Sequence, residues 1–452
     1  MPHTTSSTER PLLAEDAVRG SLAQAIWRLA WPITLSQAVF MVPGLYDSYW
    51  LGRLGASAQA AAGLAMSVRV TLISVLMALS GASGAVVARY VGANDRRNAN
   101  LATLQAVILM TVSSAVLGVF GYLLAEPLLR LAGADAEVLP LAVPYARIVF
   151  AGLIGMELLP SIGGMVNTAG APQVRLTATL WMMAAQALTQ PFLSRRFGIV
   201  GAAVAVVGAN AVGAAWEVAV LLRGRATVRI DVRDLRLDLP MMGRIVRIAL
   251  PAVVQRGAPN LATSLLFRLI SGHGAETLAA WVVGSRVLGV IQVPGVGISG
   301  AAAAMMGLNL GARQIGRARD AVRWTGRAAA AVSVGLMVIL WVAAPRVLAW
   351  FNLEPAALPA GIAILRWLSF GNLLQTVTLV YDAAQVGAGD TLSPMLANLA
   401  ALWLVQLPLA WLLGRAMGPG PQGLWLGLVV GWAVQATLMV GRYRAGRWRT
   451  IW

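Results

Sequence analysis

Long apolar stretches, separated by clusters of arginine, glycine and proline, run through almost the whole chain. A helix needs about 20 apolar residues to cross a bilayer, and each stretch is long enough to supply one. The pattern predicts twelve transmembrane helices in two sets of six. The first set is predicted at 25–50, 59–87, 101–125, 141–167, 174–194 and 199–222. The second set is predicted at 249–271, 277–306, 328–350, 360–386, 393–415 and 423–441.

The composition agrees with a polytopic membrane protein. Of the 452 residues, 58% are hydrophobic and only 12% are charged, against about 25% charged in soluble domains. The chain has no cysteine, which excludes disulfides, thiolate metal sites and catalytic thiols. His3 and His273 are too far apart to suggest a metal centre. Motifs of membrane-embedded hydrolases are absent from the sequence, so we expect no enzyme and no cofactor.

The net charge of +17 is explained by an uneven distribution of arginine between loops. With a cytoplasmic amino terminus, more than three times as many arginines fall on the cytoplasmic side as on the opposite side. This bias predicts that both termini are cytoplasmic, and it removes the reason to expect nucleic-acid binding. The predicted divisions are a cytoplasmic tail at 1–20, a first lobe at 21–223, a cytoplasmic linker at 224–247, a second lobe at 248–441 and a cytoplasmic tail at 442–452.

The two halves repeat one another at a fixed spacing of 219 residues. The matching residues include proline, arginine and loop glycines as well as alanine, which makes chance similarity a poor explanation. Examples are Pro32 and Pro251, Gly55 and Gly274, Gly92 and Gly311, Arg147 and Arg366, and Gly170 and Gly389. A duplicated unit with six spans begins and ends on the same side. The repeat therefore predicts two six-helix lobes related by a pseudo-twofold axis along the membrane normal, as in secondary transporters.

Segments of both halves resemble the multidrug and toxic compound extrusion (MATE) transporters. The first half carries LAWPITLSQAVFMVPGLYDSYWLGRLGASAQAAAG and then GASGAVVARYVGANDRRNANLA. The second half carries ALPAVVQ, SGHGAETLAAWVVG, SGAAAAMMGLNLGARQIGRARDA and VGAGDTLSP. The resemblance covers essentially the whole chain after about residue 20.

The resemblance implies export of a drug or metabolite against an inward flow of H⁺ or Na⁺. We expect an amphipathic, cationic organic substrate, a bacterial inner membrane and a monomer embedded in the lipid bilayer. A flippase for anionic lipid-linked intermediates, from the same wider superfamily, stays open as the alternative. Unpaired arginines inside the membrane would favour that alternative, because they would line an anion-binding cavity.

Asp47 is the first candidate for the ion-coupling site. Ionisable side chains are costly at membrane depth and are therefore functional candidates. The spacing from Pro32 to Asp47 matches the family pattern, in which the carboxylate takes the coupling ion and the helix bends near the proline. Where the family often has an asparagine and an aspartate four residues apart, this chain has Gln186 and Gln190. Neither can ionise, so the resemblance favours H⁺ over Na⁺, which prefers anionic oxygen ligands.

Two further acids lie in the first lobe. Glu157, in the fourth predicted span, is the reserve proton or cation site. Glu217 lies near the end of the sixth span and is expected to pair with Arg223 or Arg225.

Other intramembrane side chains are candidates for ion pairs or for the cavity. Arg69 is expected to pair with Asp47. Asp382 either meets a cationic substrate or neutralises Arg256 or Arg286. The candidates for lining the substrate cavity are Tyr46, Arg256, Tyr381 and Asp382.

Overall fold

The computed structural model describes residues 17–230, 236–350, 358–417 and 421–449. These residues are almost entirely helical, and no β-strand occurs among them. The first half forms α1 (Leu22–Arg53), α2 (Ala56–Gly92), α3 (Arg96–Leu123), α4 (Ala125–Leu131), α5 (Leu139–Ala151), α6 (Leu153–Thr168) and α7 (Pro172–Leu222). The second half forms α8 (Leu239–Ser271), α9 (Ala275–Ile291), α10 (Val293–Gly311), α11 (Ile315–Trp350), α12 (Leu358–Gly387), α13 (Leu392–Leu399), a π-helix (Ala400–Gln406), α14 (Leu407–Ala416) and α15 (Gln422–Ala445).

Helices occur at each of the twelve predicted spans. By length and composition, nine of the described helices could each cross a membrane, or ten when α5 and α6, bent by 52°, are taken as one span. α7 has 51 residues, about 75 Å at 1.5 Å per residue and more than twice the ~30 Å hydrocarbon thickness. It turns at Gly198, where φ is 59° and ψ is −135°, so it supplies two spans. The predicted all-α polytopic fold class is confirmed.

The predicted linker is partly helical. α8 already begins at Leu239, eight residues before the predicted end of the linker at 247. Residues 231–235, in the middle of that segment, lie outside the described residues, as do residues 1–16 and 450–452 of the two predicted tails. α8 begins before the apolar stretch because a helix satisfies its own backbone hydrogen bonds in water as well as in lipid.

The 219-residue repeat reappears in the backbone conformation. Positive φ values occur at Gly55 and Gly274 (112° and 98°), at Gly170 and Gly389 (85° and 88°), and at Asn94 and Arg313 (56° and 58°). The members of each pair are 219 residues apart. Glycine takes this conformation at little cost, whereas arginine does not. The shared turn at Asn94 and Arg313 therefore comes from the duplicated architecture rather than from the local side chain.

The described helices cluster into two compact units. Unit 1 comprises residues up to Ala249 together with Gly307–Gln314, and unit 2 comprises Leu250–Met306 and Ile315–Trp452. Small residues make close helix packing possible in unit 1. A Cβ added at Gly121 would lie 2.3 Å from the ring of Phe150, and one added at Gly118 would lie 2.7 Å from its carbonyl oxygen.

Within unit 1, the end of α2 crosses the end of α10 at two glycines. A Cβ at Gly92 would lie 1.9 Å from the carbonyl oxygen of Leu308, and a Cβ at Gly311 would lie 2.0 Å from that of Arg89. Gly92 and Gly311 are repeat partners, and so are Arg89 and Leu308. The crossing thus uses the same backbone contact twice, and only glycine allows it.

Candidate functional site

Asp47 lies where α1 packs along α7, in unit 1. The side-chain amide nitrogen of Gln190 donates a hydrogen bond to Oδ1 of Asp47. Gln186, one turn earlier on α7, donates from Nε2 to Oε1 of Gln190 at 2.8 Å and to the carbonyl oxygen of Pro43 at 3.2 Å. The structure therefore brings together three of the predicted site residues in one chain of hydrogen bonds.

The orientation of both glutamine amides follows from the Pro43 carbonyl. A carbonyl oxygen can only accept, so Gln186 must direct its NH₂ group toward Pro43 and Gln190. Gln190 then presents its oxygen to Gln186 and its own NH₂ group to Asp47. The carboxylate of Asp47 therefore faces an amide N–H donor rather than an amide oxygen.

One tyrosine interacts with this carboxylate, and a second precedes Asp47 in α1. Tyr145 of α5 is completely buried and interacts electrostatically with both Asp47 and Arg69. Sequence reasoning missed Tyr145, because nothing in its surroundings distinguishes it from a core tyrosine. Tyr46, predicted to line the cavity, donates a hydrogen bond to the carbonyl oxygen of Ala187 at 3.3 Å. It thereby ties α1 to α7 beside Asp47.

Arg69 pairs with Glu157, and the predicted pair of Arg69 with Asp47 is wrong. The Nη2 atom of Arg69, on α2, donates to Oε1 of Glu157, on α6. Their side chains are only 15% and 3% exposed. The tight packing of α2 against α6 places these two groups opposite each other, whereas Asp47 faces α7. Glu157, the predicted reserve site, is thus a buried carboxylate held by a guanidinium.

Glu217 is also placed differently from the prediction. It interacts electrostatically with Arg175, at the beginning of α7, rather than with Arg223 or Arg225. The chain folds back at Gly198, which brings the two ends of α7 alongside each other. Sequence spacing alone favoured the nearby arginines and could not reveal this contact.

Pro32, the predicted hinge, is buried within an unbroken α1. A proline has no N–H, so the carbonyl of residue 28 cannot receive the usual helical hydrogen bond there. A second proline, Pro43, lies in the same helix. The structure places Pro32 about four turns before Asp47, and the hinge stays a prediction.

The candidate residues of unit 2 lie on α8 and α12. Gln255 donates from Nε2 to Oδ1 of Asp382 at 3.0 Å, so each unit contains an aspartate bonded to a glutamine amide. The ring of Tyr381 packs edge-on against Tyr443, with centroids 5.1 Å apart. The side chain of Arg256 lies outside the described residues. In the described part of the chain, no group of three or more metal-binding side chains occurs.

Comparison with known proteins identifies the family. The family model MatE matches residues 32–192 and 251–412, two segments that begin 219 residues apart, as the internal repeat does. Among similar proteins, the probable multidrug resistance protein NorM of Deinococcus radiodurans is 28% identical, over 94% of this chain and 96% of its own. The multidrug resistance protein NorM of Burkholderia vietnamiensis is 27% identical, over 92% of both chains.

Solved structures share the fold. A multidrug resistance MATE family transporter of the MOP superfamily, in an outward-facing conformation, superimposes with a TM-score of 0.88 at 24% identity and covers 98% of this chain and 99% of its own. A crystal structure of MATE in the bent conformation matches with the same TM-score and identity. The chain is therefore a member of the MatE family, the multidrug and toxic compound extrusion transporters of the membrane.

Proposed function

We propose that this transporter exports an amphipathic organic cation in exchange for H⁺, by alternating access, with Asp47 as the proton-binding residue. It would act as a monomer in a bacterial inner membrane, with both termini in the cytoplasm. The observation that carries the proposal is the bond from the Gln190 amide to the Asp47 carboxylate.

The direction of the bond supports a proton over a sodium ion. A hard cation such as Na⁺ is held by several oxygen ligands. Around Asp47 the amide of Gln190 presents N–H, and its oxygen is already bonded to Gln186. A proton needs no such cage, because it binds to one carboxylate oxygen while Gln190 keeps its bond to the other.

An organic cation as substrate is supported by the intramembrane carboxylate of Asp47. This carboxylate is bonded to the neutral amide of Gln190. Protonation of a carboxylate removes the charge that would attract a cation, so proton binding and cation binding oppose each other. That opposition is what exchange of the two requires.

Transport by the purified protein in proteoliposomes tests the proposal, with ethidium as the fluorescent cation. We expect an imposed pH gradient to drive ethidium transport and a Na⁺ gradient to drive none. Asp47→Asn should abolish the transport. Ser48→Ala, which removes only the hydroxyl of an exposed neighbour, is the matched control and should retain it. Transport driven by Na⁺ alone, or unchanged transport by Asp47→Asn, would contradict the proposal.

The lipid-flippase alternative has lost part of its support, because Arg69 is bonded to Glu157 and does not offer a free cation. The same vesicles discriminate between the two functions. Translocation of a fluorescent lipid-linked anion, without ethidium transport, would replace the efflux function with the flippase function.

A further inference from the structure

A second buried polar cluster in unit 1 lies around Gly163, where α1, α6 and α7 meet. The guanidinium of Arg175 donates from Nη2 to Oε1 of Gln37 at 2.7 Å. Its Nη1 donates to the side-chain oxygen of Asn167 at 3.2 Å, with that amide oriented to satisfy both of its groups. Glu217, from the second half of α7, is completely buried beside them.

Gly163 makes this arrangement possible. A Cβ added at Gly163 would lie 2.8 Å from Cδ of Arg175 and 3.0 Å from Oε1 of Glu217. Any larger residue would displace both charged side chains from these positions. The glycine therefore brings the helix backbone of α6 directly against Arg175 and Glu217.

Arg175 lies near Glu217 and attracts its carboxylate electrostatically, without a hydrogen bond between the two side chains. Neither carboxylate oxygen of Glu217 makes a well-formed hydrogen bond to the described residues, although the backbone amide of Gly163 lies alongside. The other acids on the helices packed against α7 have their own neighbours. Glu157 on α6 is bonded to Arg69, and Asp47 on α1 interacts with Gln190 and Tyr145.

A buried carboxylate without hydrogen bonds depends on a nearby positive charge to stay ionised. Removing the charge of one partner from such a pair leaves the other uncompensated, which is strongly unfavourable in a low dielectric. If Glu217 takes up a proton, Arg175 keeps its charge but retains only the neutral oxygens of Gln37 and Asn167. The guanidinium then gains by moving toward water, and its bond to Gln37 connects this movement to α1.

We propose that Glu217 is a second proton-binding site of unit 1 and that Arg175 transmits its charge state to α1 through Gln37. The proposal rests on the proposed function and deepens it. Gln37 lies ten residues before Asp47, or about 15 Å along the helix, and five residues after Pro32. Asp47, which lies on α1, and Glu217, which is connected to α1 through Arg175 and Gln37, therefore act on the same helix at two separate points.

The absence of cysteine allows a direct measurement of α1. Spin labels at Leu35→Cys on α1 and Val116→Cys on α3 occupy positions that are 43% and 63% exposed. Their distance distribution is recorded in lipid nanodiscs across a range of pH, without substrate. We expect the distance to change in two pH-dependent steps. Glu217→Gln should remove one step and Asp47→Asn the other.

Two glycine variants separate the proposed role from general packing. Gly163→Ala, which displaces Arg175 and Glu217 from their positions against α6, should remove the same step as Glu217→Gln. Gly208→Ala places a methyl group in open space on the same half of α7 as Glu217 and should leave both steps unchanged. The double variant Arg175→Gln/Glu217→Gln, which contains no uncompensated charge, should fold and still lack that step.

The outcomes distinguish this proposal from the proposed function. If Glu217→Gln leaves the pH dependence of the label distance as in the parent protein, the second proton site is excluded. If that step is lost but a pH gradient drives no ethidium transport in the parent protein, the site stands and the proposed exchange function fails. If Gly208→Ala removes the same pH-dependent step as Glu217→Gln, the loss reflects nonspecific destabilisation and the proposal is overturned.

Discussion

At the scale of single residues, the described part of unit 1 places its buried charges against partners from distant parts of the chain. Arg69 and Glu157 are 88 residues apart and belong to α2 and α6. Replacing a buried ion pair by two apolar residues of the same size changes the stability of a protein little. Removing only one partner lowers the stability strongly, because the other charge stays buried without compensation.

We expect Glu157→Gln to lower the free energy of unfolding by about 3 kcal/mol, because it leaves the guanidinium of Arg69 buried without a counter-charge. The measurement is thermal unfolding of the purified protein in detergent, as a change in Tm. Replacing both residues, in Arg69→Met/Glu157→Leu, should restore most of the lost stability. A single variant as stable as the parent would mean that Arg69 reaches water or another acceptor.

At the scale of the element, α7 depends on one backbone conformation. Gly198 has φ 59° and ψ −135°, a combination that residues with a side chain rarely adopt. The turn separates the half of α7 that carries Gln186 and Gln190 from the half that carries Glu217. Without it, Arg175 and Glu217, which belong to the two halves of α7, could not lie in one cluster.

Gly198→Ala should therefore destabilise the protein by about 1–3 kcal/mol through backbone strain alone. A Cβ at Gly198 meets no atom within 4 Å, and the same holds for Gly208, a helical residue of α7. Gly208→Ala is thus an exact control for added volume, and it should leave Tm unchanged or raise it slightly, because alanine favours helix. Equal Tm values for the two variants would contradict a role for the strained turn.

At the scale of the whole molecule, the duplication is visible both in sequence and in backbone geometry. Gly92 and Gly311 hold equivalent positions in the two halves. A Cβ added at either glycine would lie about 2 Å from a backbone carbonyl oxygen. A carbonyl in a helix cannot move aside as a flexible side chain can, so the crossing of α2 and α10 has no room for relaxation.

Gly92→Ala and Gly311→Ala should each lower stability by about 1–3 kcal/mol, the usual range for overpacking. The two effects should be similar in size, because the two contacts are equivalent. Thermal unfolding with Gly316→Ala as the control tests this, since a Cβ at Gly316, in the first turn of α11, meets open space. A tolerated Gly92→Ala combined with a destabilising Gly311→Ala would contradict the equivalence.

The helices were predictable to a greater extent than the site. The twelve spans, the break after residue 198 and the 219-residue repeat all follow from local composition and from positions that glycine and proline occupy. Asp47, Glu157, Gln186 and Gln190 were predicted as ion-coupling residues, the two glutamines from the family resemblance. The structure joins Asp47 to both glutamines and places Glu157 against Arg69. Tyr145 and Gln37 were missed, since neither carries a signal that separates it from an ordinary core or helix residue.

The sequence by itself determined the class of protein, the number of spans and the duplicated plan, because the bilayer requires long apolar helices with self-satisfied backbones. Only the tertiary structure decided which charges meet. Arg69 was assigned to Asp47 and Glu217 to Arg223 or Arg225, but the folded chain pairs them with Glu157 and Arg175. The physical reason is that the partner of a buried charge depends on which helix faces pack together, and helical periodicity within one segment carries no information about its neighbours.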